Sequence, residues 1–173
     1  PRNKIYLENF SKILCGKFRP FHFKGVINVV NRFLEIIKPK FIFLGVKDFQ
    51  QLSLIKSHII KNKINTNLMP CTTLRERNGV ALSSRNSKLT RKQLKIAGKI
   101  YKYIKNNKKL ILYKILNKKR SEVIKKLIDI GVNKVEYLEC VNLIKKQICK
   151  NNKSKFNIFV AYYMEDIRLI DNL

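Results

Sequence analysis

Two short polar clusters carry side chains that could hold a polyphosphate. The first is Gly45-Val46-Lys47-Asp48, within GVKDFQQL, and the second is Leu82-Ser83-Ser84-Arg85, within NGVALSSRN. A lysine brings a compact point charge, and an arginine brings a planar fork that grips a phosphate through paired N–H donors. Ser83 and Ser84 add hydroxyls and backbone N–H groups, and Gly45 would let the backbone come close to a ligand. Groups of these types suit a nucleotide site, where charge developing on phosphate oxygens has to be neutralised. No Gly-x-x-x-x-Gly-Lys-Ser/Thr loop occurs, so the pattern is not a P-loop. Taken singly, each cluster has a plainer reading. Lys47 could be a solvated lysine before a helix cap, and Ser83 to Arg85 a polar inter-domain loop.

Such residues need elements to position them. The run Phe41-Ile42-Phe43-Leu44 predicts a buried parallel strand. Gly45 breaks the run, and Asp48 stands where it could cap a helix over 49–61 with apolar positions Leu52, Ile55, Ile59 and Ile60. A helix N-terminus attracts phosphate. Lys47 and Asp48 then fall at the carboxyl end of a strand, the usual ligand position in an open α/β sheet. Upstream, Ser11 is placed to cap a short helix leading to Cys15. Val26, Val29, Val30, Phe33, Leu34 and Ile37 predict a helix over 24–38 that Pro39 ends. Asn67-Leu68-Met69 reads as a short strand stopped by Pro70. This αβαβ order predicts an α/β fold with a partial doubly wound parallel sheet.

The stretch 71–86 is polar and reads as a loop at a domain boundary. Thr90 with Gln93 forms a capping box that opens a helix with Leu94, Ala97, Ile100, Tyr101 and Ile104 on one face. A second helix ends near Ile130 at Gly131, and strand-like runs follow at 135–141, 156–163 and 167–170. The expected division is 1–74, part of a nucleotide-binding domain, and 75–173, a small α+β domain.

Two further segments complete a pattern. Arg19-Pro20-Phe21-His22-Phe23-Lys24-Gly25-Val26 resembles R-P-G-H-F-x-G-V, and Ile167-Arg168-Leu169-Ile170-Asp171-Asn172 resembles a C-terminal R-L-I-D-N. With GVKDFQQL and NGVALSSRN between them, in order, the chain resembles the pantothenate synthetase (pantoate–β-alanine ligase) family over essentially its whole length. The resemblance implies a Rossmann-like nucleotidyltransferase sheet followed by the small α+β domain. It implies ATP-dependent joining of pantoate to β-alanine through a pantoyl-adenylate, releasing AMP and pyrophosphate. ATP would be a substrate with Mg²⁺ on the nucleotide; no metal ligands are evident in the sequence. It also implies a homodimer when complete and a cytoplasmic enzyme.

By the same resemblance Gly45, Val46, Lys47, Asp48, Leu74, Leu82, Ser83, Ser84 and Arg85 contact ATP, with Lys47 and Arg85 acting in catalysis. Gln51 matches a glutamine that holds pantoate; an amide suits a hydroxy acid because it donates and accepts at once. Its neighbour Gln50 is expected on the helix surface. The chain departs from the family in three places. Val46 stands where Glu is common, Phe21 where Gly is usual, and no H-x-G-H motif is present. The last departure, with Pro1 opening the chain, implies a C-terminal portion of the enzyme that is inactive alone.

The formal net charge of +27 raises a second reading, a basic nucleic-acid-binding domain. Lysine outnumbers arginine 29 to 9, although phosphate and base recognition favour arginine, and Ile, Lys and Asn, all with A/T-rich codons, make up 70 residues. Compositional drift is therefore the preferred explanation, with no specific nucleic-acid partner. A third reading, another adenylate-forming nucleotidyltransferase, would not explain Gln51 or the C-terminal motif. Cys15, Cys71, Cys140 and Cys149 lack C-x-x-C spacing and are expected to be buried free thiols. His22 is expected to be structural, His58 surface or half-buried, and Asp171 a turn or pairing residue. Glu165 and Asp166 are adjacent and form a poor metal pair. No apolar run approaches the roughly twenty residues of a membrane span.

Overall fold

The computed structural model describes residues 3–151 and 155–173. It divides into two units between Thr72 and Thr73.

The first unit opens with a 3-10 turn, Asn9–Lys12, and the single-turn helix α1, Cys15–Phe18. Ser11 does not cap a helix; it lies inside the 3-10 turn, where its Oγ donates to the Glu8 carbonyl at 2.7 Å. Then come α2 (His22–Ile37), β1 (Phe41–Gly45), α3 (Phe49–Lys61) and β2 (Asn67–Cys71). β1 and β2 pair in parallel, with Ile42 opposite Leu68 and Leu44 opposite Pro70. β2 thus runs through Pro70 instead of stopping at it. An edge strand tolerates a residue that lacks an N–H.

β1 is covered on one face only. Ile42 and Leu44 pack with Leu34, Ile55, Ile59 and Leu68. Phe41 and Phe43 alternate to the other face and are 45% and 66% exposed. The expectation of a strand buried on both faces fails because α2 and α3 pack on the same side.

The apolar residues of helix α2 cover about half its circumference, a wider arc than one packing face, opposite a polar side of Lys24, Asn28, Arg32 and Glu35. The face that packs is Phe23, Ile27, Asn31 and Leu34. Val29, Phe33 and Ile37, expected in the core, are exposed. Asn31 turns inward because His58 waits for it there; His58 Nε2 lies 2.9 Å from Asn31 Oδ1. His58 is therefore fully buried, not half-exposed. On α3 Leu52, Ile55 and Ile59 are buried, whereas Ile60 faces solvent.

The second unit holds α4 (Arg91–Asn106), α5 (Lys108–Leu116) and α6 (Arg120–Ile130). α4 starts at the anticipated capping box: Gln93 N donates to Thr90 Oγ1 at 3.2 Å, and Thr90 N donates to Gln93 Oε1 at 2.8 Å. α6 ends at Gly131. An antiparallel sheet follows, with strands β3 (Lys134–Asn142), β4 (Gln147–Ile148), β5 (Phe156–Met164) and β6 (Ile167–Asn172) in the order β4-β3-β5-β6. The core joins Ile100, Ile104, Ile111, Val123 and Leu127 of the helices to Leu138, Ile158 and Val160 of the sheet. Two-residue β4 is too short to show any periodicity and leaves no signal in the sequence. Among the described residues no helix is long and apolar enough to cross a membrane. Cys15, Cys140 and Cys149 are buried free thiols as expected; Cys71, at the end of β2, is exposed.

Candidate functional site

At the carboxyl end of β1, Gly45 leads into a 3-10 turn, Val46–Asp48, which runs on into α3. Gly45 has an ordinary φ of −68°, and a Cβ built there meets nothing within 4 Å. Neither backbone strain nor packing requires glycine at this position. What the missing side chain leaves is open space beside the strand end. The Lys47 side chain is largely covered, with Nζ 3.8 Å from Asp48 Oδ1. Asp48 occupies the N-cap position but makes no side-chain cap bond. Its carboxylate faces Lys47 instead, so the expected cap is replaced by an ion pair and the first-turn amides of α3 gain no acceptor from this side chain.

Within the first turn of α3 the adjacent glutamines separate. Gln50 is buried, and its Nε2 donates to the carbonyls of Phe10 at 2.5 Å and Ile13 at 2.7 Å. The surface position expected for it is wrong, because the N-terminal turns bring two carbonyls inside that need a donor. Gln51 instead lines an open surface groove of about 560 Å³, together with Pro20, Phe21, His22, Gly25, Val26, Val29 and Val30. The groove is mostly aliphatic with one amide and one imidazole. Arg19 Nη1 donates to His22 Nε2 at 3.2 Å, which makes that nitrogen the acceptor. Helical spacing marks Val29 and Val30 as core positions only; their place in a groove is not legible from it.

The second cluster belongs to the second unit. Arg75 and Ala81 form an antiparallel bridge, and Leu82 N donates to the Leu74 carbonyl at 2.9 Å. Leu74 and Leu82 therefore stand side by side, 70% and 47% exposed. The turn between them needs Gly79: its φ is +93°, and a Cβ there would come within 2.0 Å of the Tyr101 ring. Beyond Leu82, Ser83 Oγ accepts from Arg85 N at 3.3 Å and opens the 3-10 turn Ser84–Lys88. Asn86 Nδ2 donates back to the Ala81 carbonyl at 3.1 Å. The backbone of the cluster is tied down while the Ser84 and Arg85 side chains are exposed.

An anchor that sequence reasoning misses holds this loop. Arg75 donates to both Asp171 oxygens, at 2.6 and 3.0 Å, and to the Gly79 carbonyl at 3.0 Å. Its guanidinium lies 4.6 Å from the Tyr101 ring centroid. Burial works against the charge on Arg75, but the Asp171 carboxylate more than offsets it and holds the pKa above its ordinary value. Asp171 is thus a pairing residue. The sequence signs of the pair are slight: two arginines, Arg75 and Arg77, before a glycine turn and a single acid in the C-terminal motif. Arg168, of the same motif, pairs with Glu136 on β3. Glu165 and Asp166 lie in the turn between β5 and β6, and among the described residues no three His, Cys, Asp or Glu side chains group as metal ligands.

The family described as pantoate-beta-alanine ligase matches residues 2–173. The chain is 38% identical over 160 residues to the pantothenate synthetase of Flavobacterium psychrophilum, covering 91% of this chain and 57% of that protein. It is 33% identical to that of Carboxydothermus hydrogenoformans, covering 98% and 64%. Its structure is similar to the pantoate-beta-alanine ligase from Francisella tularensis complexed with beta-gamma ATP and beta-alanine, with a TM-score of 0.74 and 36% identity over 97% of this chain and 56% of that one. The pantothenate synthetase from Thermus thermophilus gives a TM-score of 0.79 and 25% identity over 97% and 61%. The chain spans between 56% and 64% of the length of these relatives.

Proposed function

Because the chain belongs to the pantoate–β-alanine ligase family, we propose that it supplies the acid pocket and one side of the nucleotide site of an enzyme that condenses pantoate with β-alanine using ATP. The pantoate carboxylate attacks the α-phosphorus, forming pantoyl-adenylate and releasing pyrophosphate. The β-alanine amine then attacks the acyl carbon, and AMP leaves. The observation that carries this reading is the groove at Gln51. Pantoate has two hydroxyls and a carbon bearing two methyl groups. Val26, Val29 and Val30 offer apolar wall for the methyls, and the Gln51 amide can donate to and accept from the oxygens.

Lys47 stands beside the open space at Gly45, where it can neutralise phosphate charge as the α-phosphorus is attacked. The turn Gly45 to Asp48 would meet the nucleotide through its backbone, which fits a Val at position 46. Leu74 and Leu82 would approach the adenine, and Ser83, Ser84 and Arg85 the phosphates. Magnesium would arrive on the triphosphate, keeping its water and phosphate oxygens. The complex of the Francisella tularensis ligase with beta-gamma ATP and beta-alanine supports these substrate classes. The complete enzyme is proposed to be a cytoplasmic homodimer.

The test is an NMR titration of the 173-residue chain. Pantoate is expected to shift the Gln51 side-chain amide and the methyls of Val26, Val29 and Val30. Mg-ATP is expected to shift the amides of Gly45 to Asp48 and of Ser83 to Arg85. Absence of both responses would overturn the assignment.

A further inference from the structure

Phe21 joins a left-handed backbone to an exposed aromatic ring. It has φ +63° and ψ −7°, in the left-handed region that a bulky side chain rarely adopts. Its ring is 85% exposed. Local hydrogen bonds hold the conformation: Gly25 N donates to the Phe21 carbonyl at 3.0 Å, and His22 N donates to the Arg19 carbonyl at 3.2 Å. The position is a helix N-cap whose backbone glycine would adopt without strain. A phenylalanine there costs the free protein twice, through its backbone and through exposed apolar area.

Both costs fall at one place, the wall of the Gln51 groove, which Phe21 shares with Val26 and Val29. Backbone strain of this kind persists at binding sites, where a ligand draws on it. We propose that Phe21 is a specificity-determining residue whose ring closes over the branched carbon of the acid bound at Gln51; this rests on the assignment of that groove to pantoate. An acid with a geminal dimethyl group buries the exposed ring face against Val29. An unbranched hydroxy acid of the same length leaves most of that face in water and gains less.

The experiment is calorimetric titration of pantoate and of 2,4-dihydroxybutanoate into the full 173-residue chain and into Phe21→Gly and Phe21→Leu, with thermal unfolding of each. Phe21→Gly is expected to be no less heat-stable than the parent yet to bind pantoate about tenfold more weakly, a change of about 1.4 kcal/mol. Its preference for pantoate over the unbranched acid should shrink by a similar factor. Phe21→Leu, apolar but smaller, should fall between the two. Unchanged affinity and preference in Phe21→Gly would overturn the role of Phe21 and leave the pocket assignment standing. Loss of stability and binding together in Phe21→Gly would also overturn it, since the residue would then be structural. Binding of neither acid by the parent chain would overturn the pocket assignment and this inference with it.

Discussion

Lys47 is one of 29 lysines, and nothing about its own chemistry sets it apart. Its surroundings do: a largely covered side chain, an adjacent carboxylate and open space at the strand end. In the active ligase Lys47→Ala is expected to raise the barrier to adenylate formation by about 2–4 kcal/mol, as loss of one transition-state charge contact does. Pantoate-dependent ATP–pyrophosphate exchange measures this, and wild-type exchange in the variant would refute it. His58 gives the pH prediction. Its Nε2–H donates to Asn31 Oδ1, and Nδ1 accepts from Asn62 Nδ2 at 3.1 Å. Burial lowers its pKa, although the nearby Glu35 carboxylate works in the opposite direction. The folded state thus favours neutral imidazole. Its contribution to stability is complete above the ordinary value of about 6.5 and is lost as pH falls through the lower folded value. The thermal midpoint of the first unit should fall as the pH is lowered from about 6.5 through the folded value, and His58→Gln should remove this part of the slope.

The loop 73–89 has little regular structure, yet it is fixed by one bridge, one glycine turn and one ion pair. Arg75→Ala would remove the ion-pair partner of Asp171, leaving it the Asn172 N–H at 2.8 Å, and would take the Arg75 donor from the Gly79 carbonyl. A loss of about 1–3 kcal/mol is expected, the range for a partly buried hydrogen-bonded group left unpaired. Amide exchange should quicken at 79–86 while α4, α6 and β5 keep their protection. Uniform quickening across the whole second unit would show that the pair stabilises the fold and does not act on the loop. β1 makes the complementary point. Its alternating burial puts Phe41 and Phe43 outward beside Met69 of β2, an apolar surface that two paired strands cannot hide by themselves.

The two units differ in how much core they own. The second joins three helices to β3, β5 and β6 through one continuous apolar cluster. The first buries fewer apolar side chains, among them Phe23, Ile27, Leu34, Leu54, Ile55 and Ile59, with a sheet of only two strands. Denaturant unfolding is expected to show two transitions, with the first unit lost earlier and β3 and β5 the last amides to exchange. Simultaneous loss of both units would contradict this. By resemblance to the family, an H-x-G-H motif that these 173 residues do not hold would grip the phosphates from the other side. The chain by itself is therefore expected to bind its substrates without releasing AMP. Turnover near the ordinary enzyme range of about 1 per second would disprove that.

Local signals determined what the sequence determined alone. The Thr90–Gln93 capping box, Gly131, the break at Gly45 and the order of helices and strands are set by residues within a turn of one another. The ordered motifs are readable for the same reason, and with them the family. Tertiary structure decided what depends on a distant partner. Nothing in α2 says which part of its wide apolar arc turns inward until Asn31 meets His58. Gln50 and Gln51 are the same residue type, and only the carbonyls of Phe10 and Ile13 make one an internal tie and leave the other in the groove. Arg75 and Asp171 lie 96 residues apart, so their pairing exists only once β6 has folded beside the loop. A polar side chain is buried where a partner awaits it, and the chain fold alone supplies that partner.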